Sequence, residues 1–233
     1  MNVGLYQGVE AMRASERRLE VITANLANLN TPAYKRQSAA TRAFTVEQGG
    51  RRRVDVDTVV RTDFRQGALE RTASPLDLAL VGDGYFAIEG PEGEVYTRNG
   101  AFRTDEGGTI VTAEGYPLAW DGPRGRIDPV GEPVRFDLEG NVHQDGRRVG
   151  RVKVVRFEAQ ELLGRDRTGN WRAPRGVLAE PSEAEVHQGA LERSNVDGLE
   201  ELVAMITVQR EFEASQNLMQ MISQTYRRLN TQR

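Results

Sequence analysis

The chain has 233 residues, enough for one large or two modest domains with a proper core. Its 31 Lys+Arg against 34 Asp+Glu leave a net charge of −3, without the basic face that nucleic-acid binding requires. There is no cysteine, which removes disulfides and thiolate chemistry, and no apolar run approaches the roughly 18 residues of a membrane span.

In chain order, the first element predicted is a long helix. Leu5, Met12, Leu19 and Leu26 recur seven residues apart, and Gly8, Ser15, Ile22 and Leu29 follow at an offset of three. This is an a/d seam with small residues at two d-like places. "NTP" at Asn30–Pro32 should stop the helix. Gln7, Glu10 and Arg13 interrupt the N-terminal segment, which therefore does not read as a conventional secretory signal. The stretch 36–65 reads as extended or loop-like.

From Leu76 the period changes to two. "LDLALV" alternates, "GDG" breaks it, and "YFAI" resumes at Tyr85. Short β-prone runs then follow, separated by turns. Asp145-Gly146 is the strongest hairpin signal, and Glu106-Gly107-Gly108 and Glu114-Gly115 are looser ones. The segment 164–176 again reads as extended or loop-like. "GDGYFA" (Gly82, Gly84, Ala87) fits a loose phosphate-loop pattern, with Asp105 at a ribose-binding distance. The residues that follow are β-prone, however, and the mechanism needs a helix N-terminus, so a tight turn between strands is expected. His143 and His187 stand 44 apart without companions, and no pair of acids is singled out for acid/base work. No catalytic residue, cofactor site or metal site is expected.

The last element is a second long helix. Met205, Phe212, Met219 and Tyr226 form one heptad line, and Val208, Ser215, Ile222 and Leu229 the other; Ser194, Asn195 and Asp197 are candidate N-caps. Val9 and Val21 on the first helix, and Leu202, Ile206, Leu218 and Met221 on the second, lie off these narrow stripes. That apolar surface is wider than two strands need and points to neighbouring chains. The fold class expected is α+β: long N- and C-terminal helices forming a coiled-coil layer, with an inserted, mostly antiparallel β domain. The expected divisions are 1–30 with 195–233 for the helices, 31–75 for an extended linking region, and 76–194 for the β domain. "QGALER" occurs twice, at Gln66–Arg71 and Gln188–Arg193, and the two copies are expected to lie close together near the crossings into and out of the β body.

"ITANLANLNTPAYKRQ" (Ile22–Gln37) resembles the N-terminal signature of bacterial flagellar rod and hook proteins, through Asn25, Leu26, Ala27, Asn28, Thr31, Tyr34 and Lys35. Ala33 stands where that family usually has Gly, so the local turn is expected to differ. Leu76–Leu118 resembles the family's β domain and Gly189–Met219 its C-terminal helix motif. The length leaves no room for the outer domains of hook proteins, and the pattern is most like the proximal or distal rod members that carry a β domain, slightly more like the proximal. The resemblance implies a structural, non-enzymatic subunit of the basal-body rod, self-assembling through its terminal helices into an axial drive shaft. It implies as partners other copies of itself, other rod and hook proteins, and the flagellar type III export apparatus. Export without a cleaved signal and residence in the periplasmic rod follow from it, with no nucleic acid and no membrane insertion. The assembly seam would be Leu5, Met12, Leu19, Ile22, Leu26, Leu29, Met205, Val208, Phe212, Met219, Ile222 and Tyr226. The alternative is a soluble coiled-coil dimer whose β domain binds a small ligand.

Overall fold

A computed structural model describes residues 3–48 and 51–231; the side chains of Leu5, Tyr226 and Leu229 lie outside the described part. The protein is α+β, with one long helix near each terminus and antiparallel strands between. It divides into two compact units. The first comprises residues 1–29, 36–63 and 196–233, and the second comprises 30–35 and 64–195. Residues 31–75, expected to link helices and β domain, are thus divided between the two.

In the first unit, helix α1 spans Val3–Ala27 and α2 spans Gly198–Thr231. They run antiparallel. Gly8, near the start of α1, faces Met219 late in α2; Arg18 pairs with Glu211; Leu29 lies against Gly198. α1 ends before Pro32, because Asn28 turns back on the last turn and its side-chain amide donates to Ala24 O at 2.8 Å. Of the candidate N-caps of α2, Asp197 takes the role, accepting from Leu199 N at 2.8 Å and Glu200 N at 3.1 Å. The residues at 36–65, read as extended or loop-like, are mostly extended. Strands β1 (Gln37–Gln48) and β2 (Arg51–Thr62) pair in a long antiparallel hairpin. One face carries Ala39 and Thr41 opposite Val60 and Thr58, while Ala40 and Arg42 stand opposite Val59 and Asp57 on the other. Both strands contact α1.

The second unit holds fifteen further strands. In chain order they are β3 (Leu69–Arg71), β4 (Leu78–Val81), β5 (Tyr85–Gly90), β6 (Gly93–Thr97), β7 (Arg103–Thr104) and β8 (Ile110–Val111). Then come β9 (Arg135–Phe136), β10 (Asn141–Gln144), β11 (Arg147–Arg151), β12 (Val154–Arg156), β13 (Gly164–Arg165) and β14 (Trp171–Arg172). Last are β15 (Glu180–Pro181), β16 (Glu185–Gln188) and β17 (Ala190–Glu192). The largest sheet has the order β13-β14-β6-β5-β12-β15. β5 shows why "YFAI" is apolar throughout. Phe86 and Ile88 enter one core with Leu78, Leu80, Ile110 and Leu118; Tyr85 and Ala87 enter another with Tyr96, Phe157 and Trp171. Both faces are covered, so there is no polar face to alternate with.

One turn recurs in this unit. Asp105, Asp137 and Asp166 each begin an Asp-x-x-Gly turn whose carboxylate accepts the backbone N–H two and four residues on, at 2.8–3.1 Å. The glycines at the fourth position have φ of +75°, +80° and +87°, open to Gly at little cost. Asp145 (φ +50°) and Gly146 (φ +71°) form the expected β10–β11 hairpin turn, with positive φ at both central residues.

Candidate functional site

In the first unit the sequence seam separates into a buried line and a half-buried one. Gly8, Ser15 and Ile22, seven apart, are buried on α1, and Val208 on α2; Met12, Leu19, Leu26, Leu29, Met205, Phe212, Met219 and Ile222 are half-buried. Gly8 now has a reason. A Cβ there would stand 2.3 Å from Met219 Sδ, so its lack of a side chain makes room for the Met219 side chain of α2. Val21, read as off the stripe, is buried. The other off-stripe residues are exposed. On α2, Leu199 (73%), Leu202, Val203 and Ile206 form an apolar strip over the first two turns; Leu218 and Met221 continue it further along. Leu199 and Val203 extend the face beyond what the heptad pattern had marked.

The signature residues divide between the units. In the first, buried Asn25 makes both hydrogen bonds that a strand neighbour would make to Gln37, accepting from its N at 2.9 Å and donating to its O at 2.7 Å. Arg36 Nε reaches buried Glu201 in the first turn of α2 at 2.6 Å. In the second unit, Thr31–Tyr34 forms a β-turn, Tyr34 N donating to Thr31 O at 3.3 Å. Pro32 precedes Ala33, whose φ is +57°, as a type II turn demands. The turn does not depart from the glycine-compatible shape; Ala33 adopts that shape itself. Ala33→Gly should therefore be neutral or stabilise the β unit by up to about 1 kcal/mol, relief of the left-handed strain outweighing the extra chain entropy. Thermal melting followed by tryptophan fluorescence checks this.

Lys35 leads to a buried ionic cluster. Its Nζ lies 2.6 Å from Glu192 Oε1 and donates to Arg65 O at 2.8 Å. Arg98 Nη1 lies 3.1 Å from Glu192 Oε2, its Nη2 donates to Gly82 O, and Gly67 N donates to Glu192 Oε1 at 2.9 Å. Lys35, Arg98 and Glu192 are all buried. Tyr85 lies beneath Arg98. Burial pushes its phenol well above the ordinary range, with Arg98 pulling the other way.

This cluster explains the repeat. β3 and β17 are the two "GALER" copies, paired antiparallel with Leu69 opposite Glu192, Glu70 opposite Leu191 and Arg71 opposite Ala190. The pairing relates the copies by a local two-fold, yet equivalent letters have different work. Glu192 is the buried centre of the cluster, whereas Glu70 is exposed beside Arg193 at 3.6 Å. Gly67 is needed because a Cβ there would stand 2.0 Å from Arg193 O; Gly189 is needed for its φ of +70°.

The glycines of "GDGYFA" sit between strands β4 and β5, with no helix after them to hold a phosphate. Gly82 has φ +103°, and a Cβ on Gly84 would stand 2.7 Å from Ser182 Oγ. Gly82→Ala should destabilise the β unit by about 1–2 kcal/mol, the typical left-handed penalty, read as a lower fluorescence melting temperature. Among the described residues no group of three or more His, Asp or Glu could hold a metal, and no helix is long and apolar enough to cross a membrane.

Three family descriptions match along the chain. Residues 5–35 match the flagella basal body rod protein family, 79–144 the flagellar hook protein FlgE/F/G D1 domain, and 187–232 the flagellar basal body rod FlgEFG protein C-terminal family. The flagellar basal-body rod protein FlgF of Caulobacter vibrioides is 34% identical over 227 residues, covering 94% of this chain and 93% of that one. The chain belongs to the flagellar basal-body rod protein family. FlgF of Mesorhizobium japonicum is 33% identical over 226 residues (94% and 92% covered), and FlgG of Agrobacterium fabrum 32% over 234 (87% and 88%). The N-terminal rod match spans α1 and the Asn25–Lys35 signature, and the C-terminal match starts in β16 and takes in Glu192 and α2. The buried cluster thus draws Lys35 and Glu192 from the two terminal rod-family segments, and Arg98 from the D1 match.

Proposed function

We propose that this rod-family chain is a structural, non-enzymatic subunit of the flagellar basal body that self-assembles through its terminal helices into the axial drive shaft. The helices would form the coiled-coil layer, with Leu5, Met12, Leu19, Ile22, Leu26, Leu29, Met205, Val208, Phe212, Met219, Ile222 and Tyr226 as its seam. The observation that carries this is the apolar strip of α2. The opposite side of α2 is occupied by α1, yet Leu199, Leu202, Val203 and Ile206 remain at least half exposed. Full burial of one such side chain contributes about 1.5–3 kcal/mol, so covering the strip with neighbouring chains would contribute several. Other rod and hook proteins are the partners that family membership supports. Delivery through the type III export apparatus without a cleaved signal, to the periplasmic part of the basal body, belongs to the same proposal. Nothing in the family matches supports a soluble dimer whose β domain holds a small ligand.

Sedimentation of the purified protein at rising concentration tests the reading. The wild type should pass beyond dimer into an open series, and Ile206→Asp should suppress the growth. Growth that stops at two, unaffected by Ile206→Asp, contradicts it.

A further inference from the structure

Among the described glycines, Gly100 lies closest to another stretch of backbone: a Cβ there would stand 1.6 Å from Leu78 O. The residue before it is Asn99, and Asn99-Gly100 is the single Asn-Gly pair of the sequence. Asn-Gly is the dipeptide most prone to lose ammonia, because a glycine leaves its backbone nitrogen free to reach the preceding side-chain carbonyl carbon. Here the fold removes that freedom. Asn99 N donates to Thr97 Oγ1 at 3.1 Å, and Asn99 Oδ1 accepts from Ala101 N at 3.1 Å. Gly100 is buried, and its carbonyl accepts from Leu78 N at 3.0 Å and from Phe102 N at 2.9 Å. On one side Arg98 is fixed at Glu192; on the other Ala101 bridges to Asp77 and Phe102 enters the core with Leu78. Closing a five-membered ring between Gly100 N and Asn99 Cγ requires the peptide link between them to rotate. These contacts hold it from both ends.

We propose that Asn99 is a modification site open only in the unfolded chain: it deamidates there, is protected in the fold, and its isoaspartate product is shut out of the β unit. In the reaction Gly100 N attacks Asn99 Cγ, the bond from Cγ to the amide nitrogen breaks, and ammonia leaves carrying the proton of Gly100 N. Water then opens the succinimide at either carbonyl, giving aspartate or isoaspartate. Neither step needs an oxidant or a cofactor. The two products differ in fit. Aspartate keeps the oxygen that accepts Ala101 N. Isoaspartate adds a methylene to the main chain just before Gly100, where there is no space even for a Cβ. It must displace either Gly100 from Leu78 or Arg98 from Glu192, and each of these contacts is buried. The time a chain spends unfolded is thereby written into its covalent structure.

The full chain, held unfolded in guanidinium chloride or folded in the same mildly alkaline buffer at matched ionic strength, provides the test. Peptide mapping should show Asn99 converting in the unfolded sample and at least about tenfold more slowly in the folded one, because the fold must open locally before the ring can close. After the denaturant is removed, isoaspartate at this position should be concentrated in the fraction that fails to recover the wild-type fluorescence midpoint, and aspartate in the fraction that recovers it. Asn99→Ser keeps a side-chain acceptor but cannot lose ammonia, so its refolding yield should hold over the same incubation. Four Asp-Gly pairs, at Asp83, Asp121, Asp145 and Asp197, form the same ring more slowly, and the Asn99→Ser chain carries them all as a control. Asn99→Asp made directly should fold with the wild-type midpoint. The comparison of the two wild-type fractions needs no variant, so it decides even where Asn99→Ser folds poorly. Equal conversion in folded and unfolded samples overturns the proposal, as does isoaspartate spread evenly between the two fractions. An equal loss of refolding in Asn99→Ser, or failure of Asn99→Asp to fold, overturns it as well.

Discussion

Glu192→Ala is expected to lower the stability of the β unit by about 3–5 kcal/mol, the usual cost of removing one member of a buried ion pair. Two cations would be left in a dry site: Lys35 Nζ now lies 2.6 Å from the lost carboxylate and Arg98 Nη1 3.1 Å. Gly67 N would lose its acceptor as well. Glu192→Gln should fall only a little short of this, because an amide keeps the shape but not the charge. The repeat supplies the control. Glu70 occupies the same place in the first copy but is exposed, so Glu70→Gln should stay within about 0.5 kcal/mol. Trp120 and Trp171, the chain's two tryptophans, both belong to this unit, so fluorescence melting reports it selectively. Equal effects at Glu70 and Glu192 would show that burial does not distinguish the copies.

Val208→Asp should act on the other unit. Val208 is fully buried, and a carboxylate there must be desolvated without a partner or protonated, at a cost of several kcal/mol. The helical signal in far-ultraviolet circular dichroism should melt early, while tryptophan fluorescence keeps its wild-type midpoint. Leu26→Asp and Phe212→Asp, at half-buried positions of the same seam, should cost less. A fluorescence midpoint that falls together with the helical signal would make the two units one cooperative body.

The two terminal helices, the change to period two and the Asp145-Gly146 turn were legible because each depends on neighbours in sequence. What was missed depends on distant partners. At 36–65 the sequence said only extended or loop-like, because the strands mix Ala, Thr, Arg and Asp without a clear alternation, and the antiparallel pairing of β1 with β2 is made by partners up to 25 residues apart. Val21 lies off the seam as read from α1 alone, yet α1 also meets the hairpin, a second surface that the helical period does not reveal. The Asp-x-x-Gly turns did carry a signal, three copies with Asn or Thr after the glycine, which a search for ligand spacing passes over. The repeat of "GALER" announced proximity. It did not announce that Glu192 would be buried and Glu70 exposed, because that difference is made by Lys35 and Arg98, 157 and 94 residues away.

The central claim is that the strip on α2 exists for other chains and not for this chain's own core. Motility of the host, with its own gene replaced by the Leu202→Asp, Ile206→Asp variant, tests it most directly. Both positions are at least half exposed, so the purified variant should keep the wild-type fluorescence midpoint and helical content, each exposed change contributing within about 0.5 kcal/mol. The variant should be made and folded, and the cells should build no rod and not swim. Normal swimming with the variant incorporated in the rod would contradict the account.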